Sequence, residues 1–219
     1  MNLQKVEYDW VKKSIRNDLM KNSNEHVSFA KNRVFLTLFA HLFFGTVTSF
    51  IPEINIGFWL KLNISLAILM AITNYIIWIY HKDNSKRYFS LHSFVMFIGY
   101  IFYLMSPVFK GLYPTVYFWL LLLLTVGLAV FLLIKYKVVT KLIVNPQHYL
   151  FSSLLMLYVG ILMLVGGIFW AYMRVFEPLS WVPIGIIFYF IALFFVLIAP
   201  VMLATPEQVK EFKKIGNNR

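Results

Sequence analysis

Residues 115–134 read TVYFWLLLLLTVGLAVFLLI, an apolar run of 20 residues without a charged side chain. A helix of this length rises about 30 Å, which is the thickness of the hydrocarbon core of a bilayer. The rest of the 219-residue chain has the same character, with 60% hydrophobic and 13% charged residues and a mean hydropathy of +0.73. Soluble domains are far more polar, so the sequence predicts an integral membrane protein.

Six such runs are predicted to be transmembrane helices of an all-α, polytopic fold. They cover about residues 34–51, 56–80, 88–109, 115–134, 149–173 and 181–204. The predicted organisation is a membrane domain over residues 34–204, preceded by a cytoplasmic juxtamembrane segment (1–33) and followed by a cytoplasmic tail (205–219).

Both flanking segments carry helix signals. Apolar residues at helical spacing predict an amphipathic helix on the inner membrane face within residues 1–33; they are Tyr8, Val11, Ile15 and Leu19. In the tail, Thr205, Pro206 and Gln208 resemble a capping box and predict a short helix. The longest internal loop, residues 135–148, has an apolar centre that we expect to lie in the membrane interface.

The basic residues predict the orientation. With these spans, 17 of the 20 Lys and Arg residues fall on one side of the membrane, and the positive-inside rule makes that side cytoplasmic. Both termini are therefore predicted to be cytoplasmic, in a bacterial plasma membrane. The net charge of +11 is explained by this topology and by attraction to anionic inner-leaflet lipids, so no nucleic-acid partner is expected.

Polar side chains inside the predicted spans are the candidate functional groups, because burying them in lipid is costly. One predicted cluster lies in the inner halves of spans one to three and consists of His41, Asn74 and His92. A second set lies in the outer half of the first hairpin and consists of Thr46, Thr48, Ser49, Asn63 and Ser65. Such groups either bind a small polar ligand or relay protons, or they fix helix packing through hydrogen bonds, the reading that we favour.

Small residues in span five offer a helix-packing face. Gly160, Gly167 and Ala171 permit close approach of another helix, either within the chain or in a homo-oligomer. A faint match between residues 101–108 and 193–201, each with a proline near its end, suggests the inverted repeat that transporters use.

Catalytic signatures were sought without success. The chain has no cysteine and no acidic residue inside a predicted span. It also lacks the His-Glu-x-x-His zinc pair, the Gly-x-Ser-x-Gly elbow and the phosphate-binding loop. We therefore predict no enzymatic activity, no cofactor and no metal site.

Three functional classes remain, and a membrane enzyme is the least supported of them because the catalytic signatures are missing. In general composition the chain resembles small polytopic proteins of Gram-positive bacteria that are encoded beside toxins and secretion systems, a resemblance that rests on no motif. It implies a non-catalytic immunity or accessory protein that packs against a membrane-protein partner. The alternative is a small transporter or permease subunit that moves a small polar or amphipathic substrate.

Overall fold

The structure is a computed structural model that describes residues 25–144 and 181–217, together with seven separate positions between 153 and 164. Most of these residues are helical, turns and short extended stretches join the helices, and none of the described residues forms a β-strand. The all-α prediction is therefore confirmed. Residues 1–24, on which most of the amphipathic helix was predicted, and most of predicted span five lie outside the described residues.

Seven α-helices are described. They are α1 (Val34–Ser49), α2 (Ile56–His81), α3 (Ser85–Leu112), α4 (Val116–Ile134), α5 (Tyr136–Val144), α6 (Trp181–Ile198) and α7 (Pro206–Asn217). Two 3-10 turns accompany them, at Phe29–Lys31 before α1 and at Ala199–Leu203 after α6.

Four of these helices are long and apolar enough to cross a membrane: α2, α3, α4, and α6 together with its 3-10 turn (Trp181–Leu203). Helix α1 has 16 residues and rises about 24 Å, less than the hydrocarbon core of about 30 Å. It starts where predicted span one starts but ends two residues earlier, at Ser49, and it is not one of the four.

Helix α3 is the central helix of the bundle. It packs against α1, α2 and α6, and α1 and α2 form an antiparallel hairpin beside it. The buried positions of these helices recur every three or four residues. On α1 they are Thr37, His41, Gly45, Thr48 and Ser49; on α2 they are Asn63, Ala67, Ala71 and Asn74. The buried seam is therefore made of small and polar side chains, which allow helices in lipid to approach closely.

An apolar core lies on the other side of α3. It joins Leu104 and Met105 of α3 to Leu132 of α4 and to Ala192 and Val196 of α6. Helix α4 contributes little to it, because only Thr125 and Leu132 of α4 are buried. Helix α4 is thus the most weakly packed of the four membrane-length helices.

The segment before α1 is folded against the end of α2. The Val27 backbone N–H donates to the Lys82 carbonyl oxygen at 2.6 Å, and the Trp78 indole N–H donates to the Val27 carbonyl oxygen at 2.8 Å. Residues 25–33 form an extended stretch and a 3-10 turn; the residues that carry the amphipathic-helix prediction, Tyr8 to Leu19, lie outside the described residues. Arg33, in the left-handed region at φ 54°, separates that turn from α1.

At the same end of the bundle, α3 holds the segment that follows α6. The Arg87 guanidinium donates to the Leu203 carbonyl oxygen at 2.8 Å, and the Ser90 hydroxyl donates to the Met202 carbonyl oxygen at 2.5 Å. Helix α5 packs on this turn and on α7. The stretch predicted as an apolar loop is therefore helical from Tyr136 to Val144, the last residue before Asn145 and Pro146.

The predicted capping box is present at the start of α7. The Gln208 backbone N–H donates to the Thr205 hydroxyl at 3.3 Å, and the Thr205 N–H donates to the Gln208 side-chain oxygen at 3.0 Å. Hydrogen bonds from its own backbone N–H and from the Thr205 hydroxyl lower the pKa of Glu207. These bonds satisfy donors that a helix start otherwise leaves unpaired.

Candidate functional site: buried polar groups between the first three helices

The first predicted cluster is brought together by the packing of α1, α2 and α3. His41, Asn74 and His92 are all buried, and a fourth residue, Thr37, connects them. The Asn74 amide donates to the Thr37 hydroxyl oxygen at 2.9 Å, and the His92 Nδ1 lies 3.3 Å from the Asn74 Oδ1. Two polar residues of α1 and one each of α2 and α3 therefore meet in a single hydrogen-bonded group, which we call the inner polar cluster (Thr37, His41, Asn74, His92).

The directions of these hydrogen bonds follow from the chemistry of the partners. The Thr37 hydroxyl donates to the Arg33 carbonyl oxygen at 3.0 Å, so it accepts from Asn74. The Asn74 Oδ1 can only accept, and His92 therefore carries a proton on Nδ1. His41 likewise donates from Nδ1 to the Thr37 carbonyl oxygen at 2.8 Å. Both histidines use Nδ1 within the cluster.

The side of the His41 ring that faces away from Thr37 lies against the backbone of α3 at Gly99. Its Nε2 is buried and has no hydrogen-bond partner among the described residues. A Cβ atom placed on Gly99 of α3 would lie 2.0 Å from this nitrogen. The ring also stacks on Tyr100, with 5.5 Å between centroids, and meets the edge of Tyr103 at 5.6 Å. His41 is therefore enclosed by Gly99, Tyr100 and Tyr103 of α3.

The second predicted set is brought together only in part. The Asn63 amide donates to the Gly45 carbonyl oxygen at 2.9 Å and to the Ser49 hydroxyl at 2.8 Å. Thr48 is buried and bonds back to its own helix, at the Phe44 carbonyl oxygen. Thr46 and Ser65 are exposed, so they do not join this group.

Lys110 is the polar group that sequence reasoning missed at this end. The predicted spans place it in an outer loop, whereas it lies in the last turn of α3 with 2% of its surface exposed. Its ammonium group donates to the carbonyl oxygens of Thr48 at 3.2 Å and Ser49 at 2.8 Å. These carbonyls end α1, where a cation is favoured by the helix dipole. The Trp59 ring lies 5.6 Å from the ammonium nitrogen.

The predicted packing face of span five is described at one position. Gly160 is exposed, and a Cβ atom there would meet nothing within 4 Å among the described residues. Gly167 and Ala171 lie outside the described residues. Nearby, the Tyr158 hydroxyl donates to the Phe190 carbonyl oxygen and its ring stacks on Phe194 of α6.

An apolar cavity of about 330 Å³ lies between α3, α4 and α6. Its walls include Ile101, Met105, Leu122, Val126 and Val196, and none of the inner polar cluster lines it. In the part of the chain that the structure describes, no group of three His, Asp or Glu side chains is placed to hold a metal ion.

Comparison with known proteins gave no relative. The chain matches no protein family, and no curated protein and no solved structure is significantly similar to it.

The geometry predicts that the inner polar cluster stabilises the bundle. Replacing Asn74 by leucine removes the amide bonds to Thr37 and His92 at similar side-chain volume, so we expect a loss of about 1–2 kcal/mol in the free energy of unfolding. Thr73→Val is the matched control, because Thr73 is only half-buried and its hydroxyl bonds to the Leu69 carbonyl oxygen of its own helix. Thermal denaturation in detergent micelles measures both variants. An Asn74→Leu protein as stable as the Thr73→Val protein would contradict a structural role.

Proposed function

We propose that this protein is a non-catalytic, multi-pass protein of the bacterial cell membrane that acts by packing its helices against another membrane protein, as an immunity or accessory protein of a toxin or secretion system does. The observation that carries the proposal is the surface of α4. Its large apolar side chains are exposed on almost every side, and only Thr125 and Leu132 are buried. Among the described residues little packs on this helix, so most of its surface is open to a partner.

The polar groups support this function rather than transport of a polar substrate. The members of the inner polar cluster are buried and bonded to one another, and Tyr100 and Tyr103 pack on the His41 ring. A transport site needs polar groups that line a cavity. The cavity beside α4 has apolar walls instead, and apolar side chains of a partner helix would fill it.

The proposed topology has six spans with both termini in the cytoplasm. It is supported by the contacts among the basic connecting segments, which lie at one end of the bundle. The segment before α1 bonds to Lys82, Arg87 bonds to the end of α6, and α5 contacts α7. A common location for these segments is what the positive-inside rule requires of cytoplasmic connectors. Helix α1 would cross with its short length made up by the segments on either side.

A second candidate function is transport of an amphipathic molecule, as a small permease or permease subunit. The same cavity favours it, since about 330 Å³ of apolar space with Ser106 and Thr125 in its walls suits a small molecule with one polar group. The two functions differ in what fills this space: a side chain of a partner or a diffusing substrate.

Photo-crosslinking from α4 tests the proposal. We expect benzoylphenylalanine at Leu123 or Phe131, both exposed on α4, to give one discrete protein adduct in membranes of the native host. The same residue at Leu69, which is exposed on α2, is the matched control and should give lipid adducts only. Mass spectrometry of the adduct identifies the partner, or shows a second copy of this chain.

Lipid adducts alone at both α4 positions would contradict partner binding. Uptake of an amphipathic fluorescent dye by proteoliposomes that contain only this protein would favour the permease instead. Substitution of Val126 by tryptophan, which narrows the cavity wall, should then abolish the uptake.

A further inference from the structure

A second cavity, of about 500 Å³, lies where the N-terminal segment enters α1. Its walls combine two kinds of side chain. The polar part consists of Lys31, Asn32 and Arg33, and the apolar part includes Phe29, Phe35, Leu36 and Phe89. This mixture differs from the apolar cavity beside α4 and matches the two parts of a phospholipid, a charged head and a hydrocarbon chain.

The charge at this cavity is positive, and no acidic residue in the described part of the chain pairs with it. Lys31 and Arg33 are exposed, and neither forms an ion pair with an acidic residue in the described part of the chain. The Arg33 guanidinium lies 4.6 Å from the centre of the Phe89 ring. The first turn of α1 contains no acidic residue, so the positive end of the helix dipole adds to the two cations. The electrostatics favour an anion.

Asn32 supplies an independent observation that points to the same ligand. This side chain is 3% exposed, and its Oδ1 accepts a hydrogen bond from the Val34 N–H at 3.1 Å. Its Nδ2 has no hydrogen-bond partner among the described residues. A buried donor without a partner costs free energy, and an oxygen atom of a bound phosphate would satisfy it.

An apolar path leads from this cavity along α1. Phe35, Phe39 and Phe43 follow one another at four-residue spacing, so they form one stripe on the helix surface. Each is more than half exposed, at 74%, 71% and 56%. The stripe begins in the wall of the cavity, at Phe35, and runs toward the other end of α1. A hydrocarbon chain attached to a phosphate in the cavity would lie along it.

We propose that this cavity is a specific site for an anionic phospholipid, whose phosphate is bound by Lys31, Arg33 and the Asn32 amide and whose acyl chain lies on the Phe35–Phe39–Phe43 stripe. The site is independent of the proposed partner function. It fixes one lipid molecule at the junction of the N-terminal segment and α1. The two cations explain a preference for anionic over zwitterionic headgroups, and the stripe explains a preference for a lipid over a soluble phosphate.

Native mass spectrometry of the purified, delipidated protein tests the site. We expect at least one phosphatidylglycerol to bind about tenfold more tightly than phosphatidylcholine with the same acyl chains. The double variant Lys31→Gln/Arg33→Gln should lose that preference. The double variant Lys135→Gln/Lys137→Gln is the matched control. It also removes two exposed cations from a basic connecting segment, but these two lysines do not line the cavity. Its preference should equal that of the unmodified protein.

Asn32→Asp tests the amide donor without removing the bond to α1. The carboxylate can still accept from the Val34 N–H, so the variant should fold, which circular dichroism and gel filtration check. It places a negative charge beside the phosphate and should reduce phosphatidylglycerol binding about tenfold. This variant decides the proposal even where the double glutamine variant does not fold.

Inorganic phosphate distinguishes the lipid from a free anion. We expect millimolar phosphate to leave bound phosphatidylglycerol in place. Displacement of the lipid by phosphate would overturn the assignment in favour of a soluble anion. Equal binding of the two lipids by the unmodified protein, or equal losses in the Lys31/Arg33 and Lys135/Lys137 variants, would overturn the site itself.

Discussion

Gly99→Ala is expected to destabilise the protein by about 3 kcal/mol. The new Cβ atom would lie 2.0 Å from the His41 Nε2 and 2.2 Å from its Cδ2. The imidazole ring cannot turn away at low cost, because Nδ1 is bonded to the Thr37 carbonyl oxygen and the ring is held between Tyr100 and Tyr103. Helices α1 and α3 must therefore separate.

The matched control is Gly127→Ala in α4, where a Cβ atom would meet nothing within 4 Å. There the substitution should be neutral or slightly stabilising, because alanine favours a helix more than glycine does. Chemical denaturation in mixed micelles compares the two. In a protein that also carries His41→Ala, the imidazole ring no longer lies against Gly99. Gly99→Ala should then lower the free energy of unfolding by less than about 0.5 kcal/mol. A Gly99→Ala cost that persists in this background would show that the His41 contact is not its cause.

Lys110→Met should lower the free energy of unfolding by about 2 kcal/mol. Methionine keeps much of the side-chain volume but donates no hydrogen bond, so the buried carbonyl oxygens of Thr48 and Ser49 lose the ammonium group that binds them. The end of α1 and the hairpin to α2 should loosen together. Thermal unfolding measures the loss of stability. The rate of proteolysis within the turn at residues 50–55 measures the loosening of the hairpin.

Lys61→Met is the control for this prediction. Lys61 lies on α2 near the same end of the bundle, carries the same charge and is exposed, so its loss should change stability by less than about 0.5 kcal/mol. Equal stability of the Lys61→Met and Lys110→Met proteins would show that the ammonium contacts of Lys110 are not stabilising.

The helices themselves were predictable because long apolar runs have few alternatives in a chain of this composition. Predicted span two ends at Tyr80 and helix α2 at His81, and predicted span four starts one residue before α4. The error at Lys110 has a physical cause. A lysine after an apolar run suggests the membrane boundary, but α3 continues to Leu112 and its last turn lies against the end of α1. Which cation meets a helix end depends on tertiary packing.

Three members of the inner polar cluster were predictable from the sequence, but the residue that connects them was not. His41, Asn74 and His92 stand out as polar residues in apolar runs, whereas Thr37 lies in the first turn of α1 and was overlooked, although it is the residue that links them. A usable signal was present in the spacing of small and polar residues. Thr37, His41, Gly45 and Thr48 lie four, four and three residues apart. In a lipid-exposed helix this period, rather than that of the apolar residues, indicates the buried side.

The bonds from α3 to the segment after α6 bear on the order in which the bundle is completed. Arg87 and Ser90 donate to carbonyl oxygens of Met202, Leu203 and Ala204, more than 110 residues further along the chain. During synthesis those acceptors do not yet exist when α3 enters the membrane. The start of α3 must therefore hydrogen-bond to water or lipid headgroups until the ribosome has made residues 202–204, and a chain that stops before residue 202 never forms these bonds.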